Sequence, residues 1–154
     1  GYVSDERHAC TCAPGQVQRY RARLSGPLLD RIDLHVEVPA VEYRDLRAAD
    51  SDYSSARMRE RIGVARARQA ERYKNTACRG NAELSGRLLE KFCRLSGPEH
   101  AFLEKAVQTL GLSARTYTRI LRVARTVADL AGQEHLSAQH LAEALNCRVL
   151  DRQR

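Results

Sequence analysis

Apolar positions recur at helical spacing over most of this 154-residue chain and alternate over one short stretch. Val17, Tyr20 and Leu24 predict a short helix from Gln16 to about Arg23. Ser25-Gly26-Pro27 ends it and starts another, with Ser25 able to cap and Pro27 suited to a first turn. That second helix is brief, Leu28-Leu29-Asp30-Arg31. The period then changes to two. Ile32, Leu34, Val36 and Val38 alternate with Asp33, His35 and Glu37, which predicts a half-buried strand closed by Pro39, with His35 facing solvent. One strand is not a sheet, so its partners must lie upstream or on another copy.

Residues 39–53 read as a linker with a single turn over Tyr43–Arg47. Ser54 and Ser55 can cap a long helix reaching about Lys74, with Met58, Ile62, Ala65 and Tyr73 as its apolar stripe. A break at Cys78–Asn81 precedes four more helices. Leu84, Leu88, Leu89 and Phe92 mark the first. Ser96-Gly97-Pro98-Glu99 has capping-box spacing and opens the second, which Gly111 stops. Ser113 caps the third, whose apolar face is Tyr117, Ile120, Leu121, Ala124, Val127, Ala128 and Ala131. Ser137 caps the last, with Leu141, Leu145 and Val149. Short loops between these helices predict a bundle.

Charge and composition narrow the classes. Twenty-six Lys and Arg against 19 Asp and Glu leave a net charge of +7, which points to anionic partners without choosing among them. A hydrophobic fraction of 43% is too high for a disordered chain. No apolar run approaches the roughly 18 residues of a membrane span, and no secretory signal pattern opens the chain. Five cysteines, an odd number, argue against a disulfide framework and for a reducing cytoplasm. No GxxxxGK[ST] loop occurs, so the chain carries no phosphate-cradling loop of its own.

Candidate chemistry rests on arginine and cysteine. Arg115, Arg119 and Arg122 cluster opposite the apolar face of the third bundle helix. Arg115 sits in the first turn, where a cation opposes the helix dipole and calls for a nearby anion. Taken alone, the cluster reads first as a solvated arginine face. Arg31 lies where a short helix meets the predicted strand, a position that projects polar groups toward the ends of a sheet. Simple pairing of Asp30 and Arg31 with their neighbours fits as well. The helix at 54–74 carries seven basic residues against Glu60 and Glu71. It reads as a solvated face meeting a neighbouring subunit, or as a surface for non-specific phosphate contact. Cys10 and Cys12 are weak evidence for metal, because tetrahedral zinc wants four N or S ligands and His8 is poorly spaced to add one. Cys78, Cys93 and Cys147 read as loop or core residues.

The segment from Cys10 to Val38, with Leu28-Leu29-Asp30-Arg31-Ile32-Asp33-Leu34 at its centre, resembles the Mg-chelatase-like AAA+ ATPases of the ComM/YifB competence family. The runs from Leu112 to Leu130 and from Leu136 to Leu145 resemble the same family's C-terminal lid, in the same order. The resemblance implies that this chain is the C-terminal third of a larger protein whose Walker A, Walker B and sensor-1 residues precede Gly1. It implies that Arg31 is an arginine finger reaching nucleotide on a neighbouring subunit, and that Arg115 is a sensor-2 residue contacting the γ-phosphate of ATP. It further implies that Cys10 and Cys12 are half of a structural zinc site, completed by a second Cys-x-Cys-Gly upstream.

The expected fold is therefore mainly α. Residues 1–38 are expected to be a remnant of an α/β ATPase core, 39–53 a linker, and 54–154 a helical lid. The expected parent is a cytoplasmic hexameric motor that uses ATP and Mg to move DNA, in branch migration or recombination during natural transformation. Its partners would be its own N-terminal core, neighbouring subunits and DNA. The chain alone is expected neither to hydrolyse ATP nor to hold a cofactor tightly. The alternative is a free-standing basic helical module that binds nucleic acid or protein. Magnesium chelation on a porphyrin is a third reading, less well matched by the Cys-x-Cys segment.

Overall fold

The computed structural model describes Val3, residues 8–36, Val38, Val41, Tyr43 and residues 54–148. Seven α-helices and one 3-10 turn are present among these residues. They are α1 (Pro14–Arg21), α2 (Gly26–Leu29), α3 (Ser55–Tyr73), the 3-10 turn Asn81–Glu83, α4 (Gly86–Phe92), α5 (Gly97–Leu110), α6 (Ala114–Leu130) and α7 (Ala138–Asn146). The chain is mainly helical, as the periodicity predicts. Most of the expected 39–53 linker, including 44–47 of its turn, and the apolar position Val149 lie outside the described residues.

The helix starts follow local chemistry. The hydroxyls of Ser25, Ser54 and Ser113 accept hydrogen bonds from the backbone N–H of Leu28, Arg57 and Thr116, each satisfying a donor the helix cannot. At α5 the Glu99 carboxylate accepts from the Ser96 N–H at 3.2 Å and from its hydroxyl, the reciprocal half of the capping box. Ser137 caps α7 as expected, with His140 as the reciprocal member of a capping box. There the His140 ring nitrogen accepts from the Ser137 N–H at 3.1 Å. Gly111 ends α5 at φ +59°, a left-handed turn that glycine enters without steric cost.

Helix α6 is the hub, packing against α3, α4, α7 and the 3-10 turn, while α5 packs on α7. One core joins them, including Tyr73, Leu84, Leu89, Leu103, Ile120, Leu121, Leu141 and Leu145. Leu84 and Leu141 are fully buried, each contributing about 1.5–3 kcal/mol. Tyr73 meets Phe92 edge to face at 5.2 Å. The apolar stripe of α3 is only half used. Ala65 and Tyr73 are buried, but Met58 and Ile62 are 45% and 53% exposed, because the first half of the helix runs past the bundle.

The predicted strand at 32–38 is not formed. No strand occurs among the described residues, and 32–36 have no regular structure. The expected half-buried face is absent: Ile32, Leu34, Val36 and Val38 are exposed, and so is Asp33, while His35, expected to face solvent, is buried. The cause is the partner this segment finds. No neighbouring strand is present among the described residues, and the His35 N–H instead donates to the Cys147 carbonyl at 2.6 Å, turning the polar side toward the end of α7.

Candidate functional site

The site is built where the Leu28–Leu34 segment meets the start of α6. Pro27 in the first turn and the Ser25 cap fix the short helix α2, and Leu29 buries its side chain behind it. The chain then leaves the helix at Asp30 and Arg31. Across from it, the Ser113 cap sets the first turn of α6, which carries Arg115 and Thr116. The Thr116 hydroxyl donates to the Asp30 carboxylate at 3.3 Å. Arg31 and Arg115 are thus each one residue from a hydrogen-bonded pair, and both are exposed. Arg31 keeps Nη1 on the Pro27 carbonyl at 2.9 Å, which steadies the side chain without a carboxylate partner at that nitrogen.

Three further contacts fasten the same segment. Arg119, one turn on from Arg115, forms an ion pair with Asp33. Arg148, buried at 2% exposure, donates to the carbonyls of Ile32 at 2.6 Å and Leu29 at 3.3 Å. The solvated cluster expected of Arg115, Arg119 and Arg122 is therefore split. Arg119 serves Asp33, Arg122 donates through Nε to the Leu84 carbonyl at 2.8 Å, and Arg115 alone of the three is exposed. Sequence reasoning missed Arg148, which follows the last helix with no periodicity to mark it.

A second polar group lies at the other end of α6. Asp129 is fully buried and accepts from Arg72 through both carboxylate oxygens and from the Asn81 amide at 2.9 Å. Arg125, also buried, pairs with Asp129 at 3.2 Å and donates to the carbonyls of Gln133 and Glu134 at 2.6 Å each. Burial alone would raise the Asp129 pKa, but the Arg72 and Asn81 hydrogen bonds outweigh it and hold the carboxyl below its ordinary value. Burial lowers the Arg125 pKa against the pull of Asp129. The Arg72 pKa is raised, first by its bond to Asp129. Two arginines share one carboxylate, and the Gln133 and Glu134 carbonyls accept from Arg125 as well, which makes a structural knot in which Arg125 Nε is buried without an acceptor among the described residues. Arg72 is thereby removed from the free arginine face of α3. The sequence signal was an i, i+4 Arg–Asp pair lying on the same helical stripe as Leu121 and Ala128.

Cys10 and Cys12 are half-buried and not disulfide-bonded. Among the described residues no group of three or more His, Cys, Asp or Glu is placed to hold a metal ion, so these two cysteines do not by themselves fit a tetrahedral zinc. Cys93 is buried behind α6, which pushes its thiol up to about 11, the mark of an inert core cysteine. No helix among the described residues is long and apolar enough to cross a membrane.

The fold is a helical bundle whose hub helix carries the exposed Arg115 and bonds to Asp30 and Asp33, on either side of the exposed Arg31. Comparison with known families then names it. Residues 52–148 match the family described as magnesium chelatase, subunit ChlI C-terminal, and residues 1–46 match that described as magnesium chelatase, subunit ChlI. The chain belongs to the magnesium chelatase ChlI C-terminal family. It is 45% identical over 141 residues to the competence protein ComM of Haemophilus influenzae and 42% identical over 142 residues to YifB of Salmonella typhimurium. A Mycobacterium bovis protein, Mb2921c, is 40% identical over 139 residues. These alignments cover 91%, 92% and 90% of this chain but only 27% of each relative.

Proposed function

We propose that this chain is the lid portion of an AAA+-type motor that couples ATP hydrolysis to movement of DNA. Arg31 acts as the arginine finger and Arg115 as the sensor-2 residue. Residues 1–38 form the edge of the ATPase core, 39–53 link it, and 54–154 form the lid. The observation that carries this reading is that Arg31 and Arg115 are exposed while Asp30 and Thr116 beside them bond to each other and Asp33 pairs with Arg119. Phosphoryl transfer needs fixed cations on the γ-phosphate oxygens, and guanidinium groups provide them with two parallel donors. The nucleotide cradle must come from elsewhere, since this chain has no phosphate-binding loop. ATP with Mg is therefore the substrate of the assembled protein. The family match supports the ATPase class, and the name competence protein borne by one relative supports a role in DNA handling, in natural transformation or recombination.

The assembly is a ring of identical subunits, six by the family resemblance, in the cytoplasm. Each subunit offers its arginines to the nucleotide of a neighbour. Cys10 and Cys12 supply two of four zinc ligands, the others lying upstream. Steady-state ATPase assays on the complete protein test the central claim. Arg31→Ala and Arg115→Ala should each lower turnover by about 10³-fold, with unchanged helical content. Wild-type turnover in either variant removes that arginine from the site. The isolated 154-residue chain should show no turnover.

A second reading, a nucleic-acid-binding module without a motor, is favoured by one observation. Arg57, Arg59, Arg61 and Arg66 are exposed along the free half of α3. Salt-sensitive binding of the isolated chain to duplex DNA, combined with full ATPase activity in the Arg31 and Arg115 variants, would select it.

A further inference from the structure

Arg31 is exposed, yet the residues on both sides of it are tied down. The Leu29 carbonyl accepts from Arg148, the Asp30 carboxylate from Thr116, the Ile32 carbonyl again from Arg148, and the Asp33 carboxylate from Arg119. All of these partners belong to the bundle: two to α6 and one to the end of α7. Helix α1, by contrast, buries none of its side chains. The N–H of His35 extends the attachment to the Cys147 carbonyl. The segment that carries Arg31 is thus mounted on the same helix that carries Arg115.

We infer that Asp30, Asp33, Thr116, Arg119 and Arg148 are positioning residues that lock Arg31 to α6. Arg31 and Arg115 then approach one nucleotide phosphate as a single rigid unit. This inference rests on the reading of those two arginines as phosphate ligands. Its content is that the finger moves with the lid, rather than with the core to which its sequence segment belongs. The physical reason is orientation. A guanidinium on a free loop samples many poses, and a misplacement of about 1 Å at a reacting centre can cost about 10²-fold in rate. Pinning the two residues on each side, on backbone and side chain alike, removes that freedom while leaving the Arg31 head exposed. Rotation of the bundle would insert or withdraw both cations together, so that nucleotide state and finger engagement change in one step.

Charge reversal across the Asp33–Arg119 pair tests this. Asp33 is 56% exposed and Arg119 19%, so the variants leave the core intact. In the 154-residue chain, Asp33→Arg and Arg119→Asp should each speed amide hydrogen exchange of residues 28–35 about five- to tenfold, with α4 to α7 unchanged. The double variant should restore protection. In the complete ATP-hydrolysing protein each single variant should lower kcat about 10- to 100-fold, with KM for ATP within about threefold, and the double should recover. Unchanged exchange, or a loss of kcat that the double variant does not rescue, overturns the clamp. Separate outcomes identify which idea fails. Wild-type turnover in Arg31→Ala and Arg115→Ala sinks the nucleotide reading, whatever the exchange data show. If those two variants lose turnover while the charge reversals keep it, the arginines stand and the clamp falls.

Discussion

The two ends of α6 use the same residue types for opposite purposes. At its C-terminal end, Arg125, Asp129 and Asn81 are buried and bonded with the partly exposed Arg72 in a knot. At its N-terminal end, Arg119 meets Asp33 at the surface and Arg115 is exposed. The inner knot holds α3 and the 3-10 turn to the hub. The outer contacts aim a segment. A buried charge must be satisfied completely or it costs several kcal/mol, whereas a surface pair contributes little to stability and can be spared for orientation. Arginine count therefore says little about function here; depth decides which arginines are available.

Substitutions at the two ends should differ most in stability. Asp129→Ala leaves Arg125 and Arg72 facing each other without their shared counter-ion, and should destabilise the fold by about 3–5 kcal/mol in urea unfolding. If it unfolds like wild type, the inner knot is not structural. Gly132 tests the same end more gently. It sits at φ +78°, and a Cβ there would lie 2.8 Å from Arg68 Nη1, which donates to the Asp129 carbonyl. Gly132→Ala should cost about 1–2 kcal/mol by thermal melt, from left-handed strain and displacement of Arg68.

Acid should separate two steps at the inner end. Burial first, and then the nearby Arg125 charge, hold the His140 pKa below its ordinary value against the opposing pull of Glu143. A histidine kept neutral by the fold contributes stability at pH above about 6.5 that is lost as pH falls through its lowered folded value. The lost contact would be the α7 cap, because a protonated ring cannot accept from the Ser137 N–H. His140→Gln should flatten this mild decline in Tm, since an amide oxygen accepts at any pH. Asp129, with a lowered pKa, contributes stability above about pH 4 that disappears as pH falls through its folded value, giving the larger second loss. The smallest effect belongs to the outer end. Asp33→Asn should change global stability by less than about 1 kcal/mol. A larger drop would mean that the segment is part of the core.

The cap residues show how local information reads out. Ser25, Ser54, Ser96 and Ser113 were identifiable because a cap is settled within four residues of chain. The ranges of α3, α5, α6 and α7 follow for the same reason, with apolar spacing adding the face. Arg125 and Asp129 were invisible to that reading, since periodicity counts a charged residue as outward-facing. The strand failed for the complementary reason. Alternation marks a candidate strand, but only a neighbouring partner makes one, and of residues 32–36 His35 alone is buried.

The sequence by itself determined that the chain is mainly helical, where most of its helices start, and the family. Tertiary structure decided which charges are buried, that His35 turns inward, and that Asp30 and Asp33 on either side of Arg31 bond to α6. Helix formation depends on neighbours a few residues apart along the chain. Burial of an arginine depends on a carboxylate 57 positions away, as for Arg72 and Asp129, and only the packed fold brings such groups together.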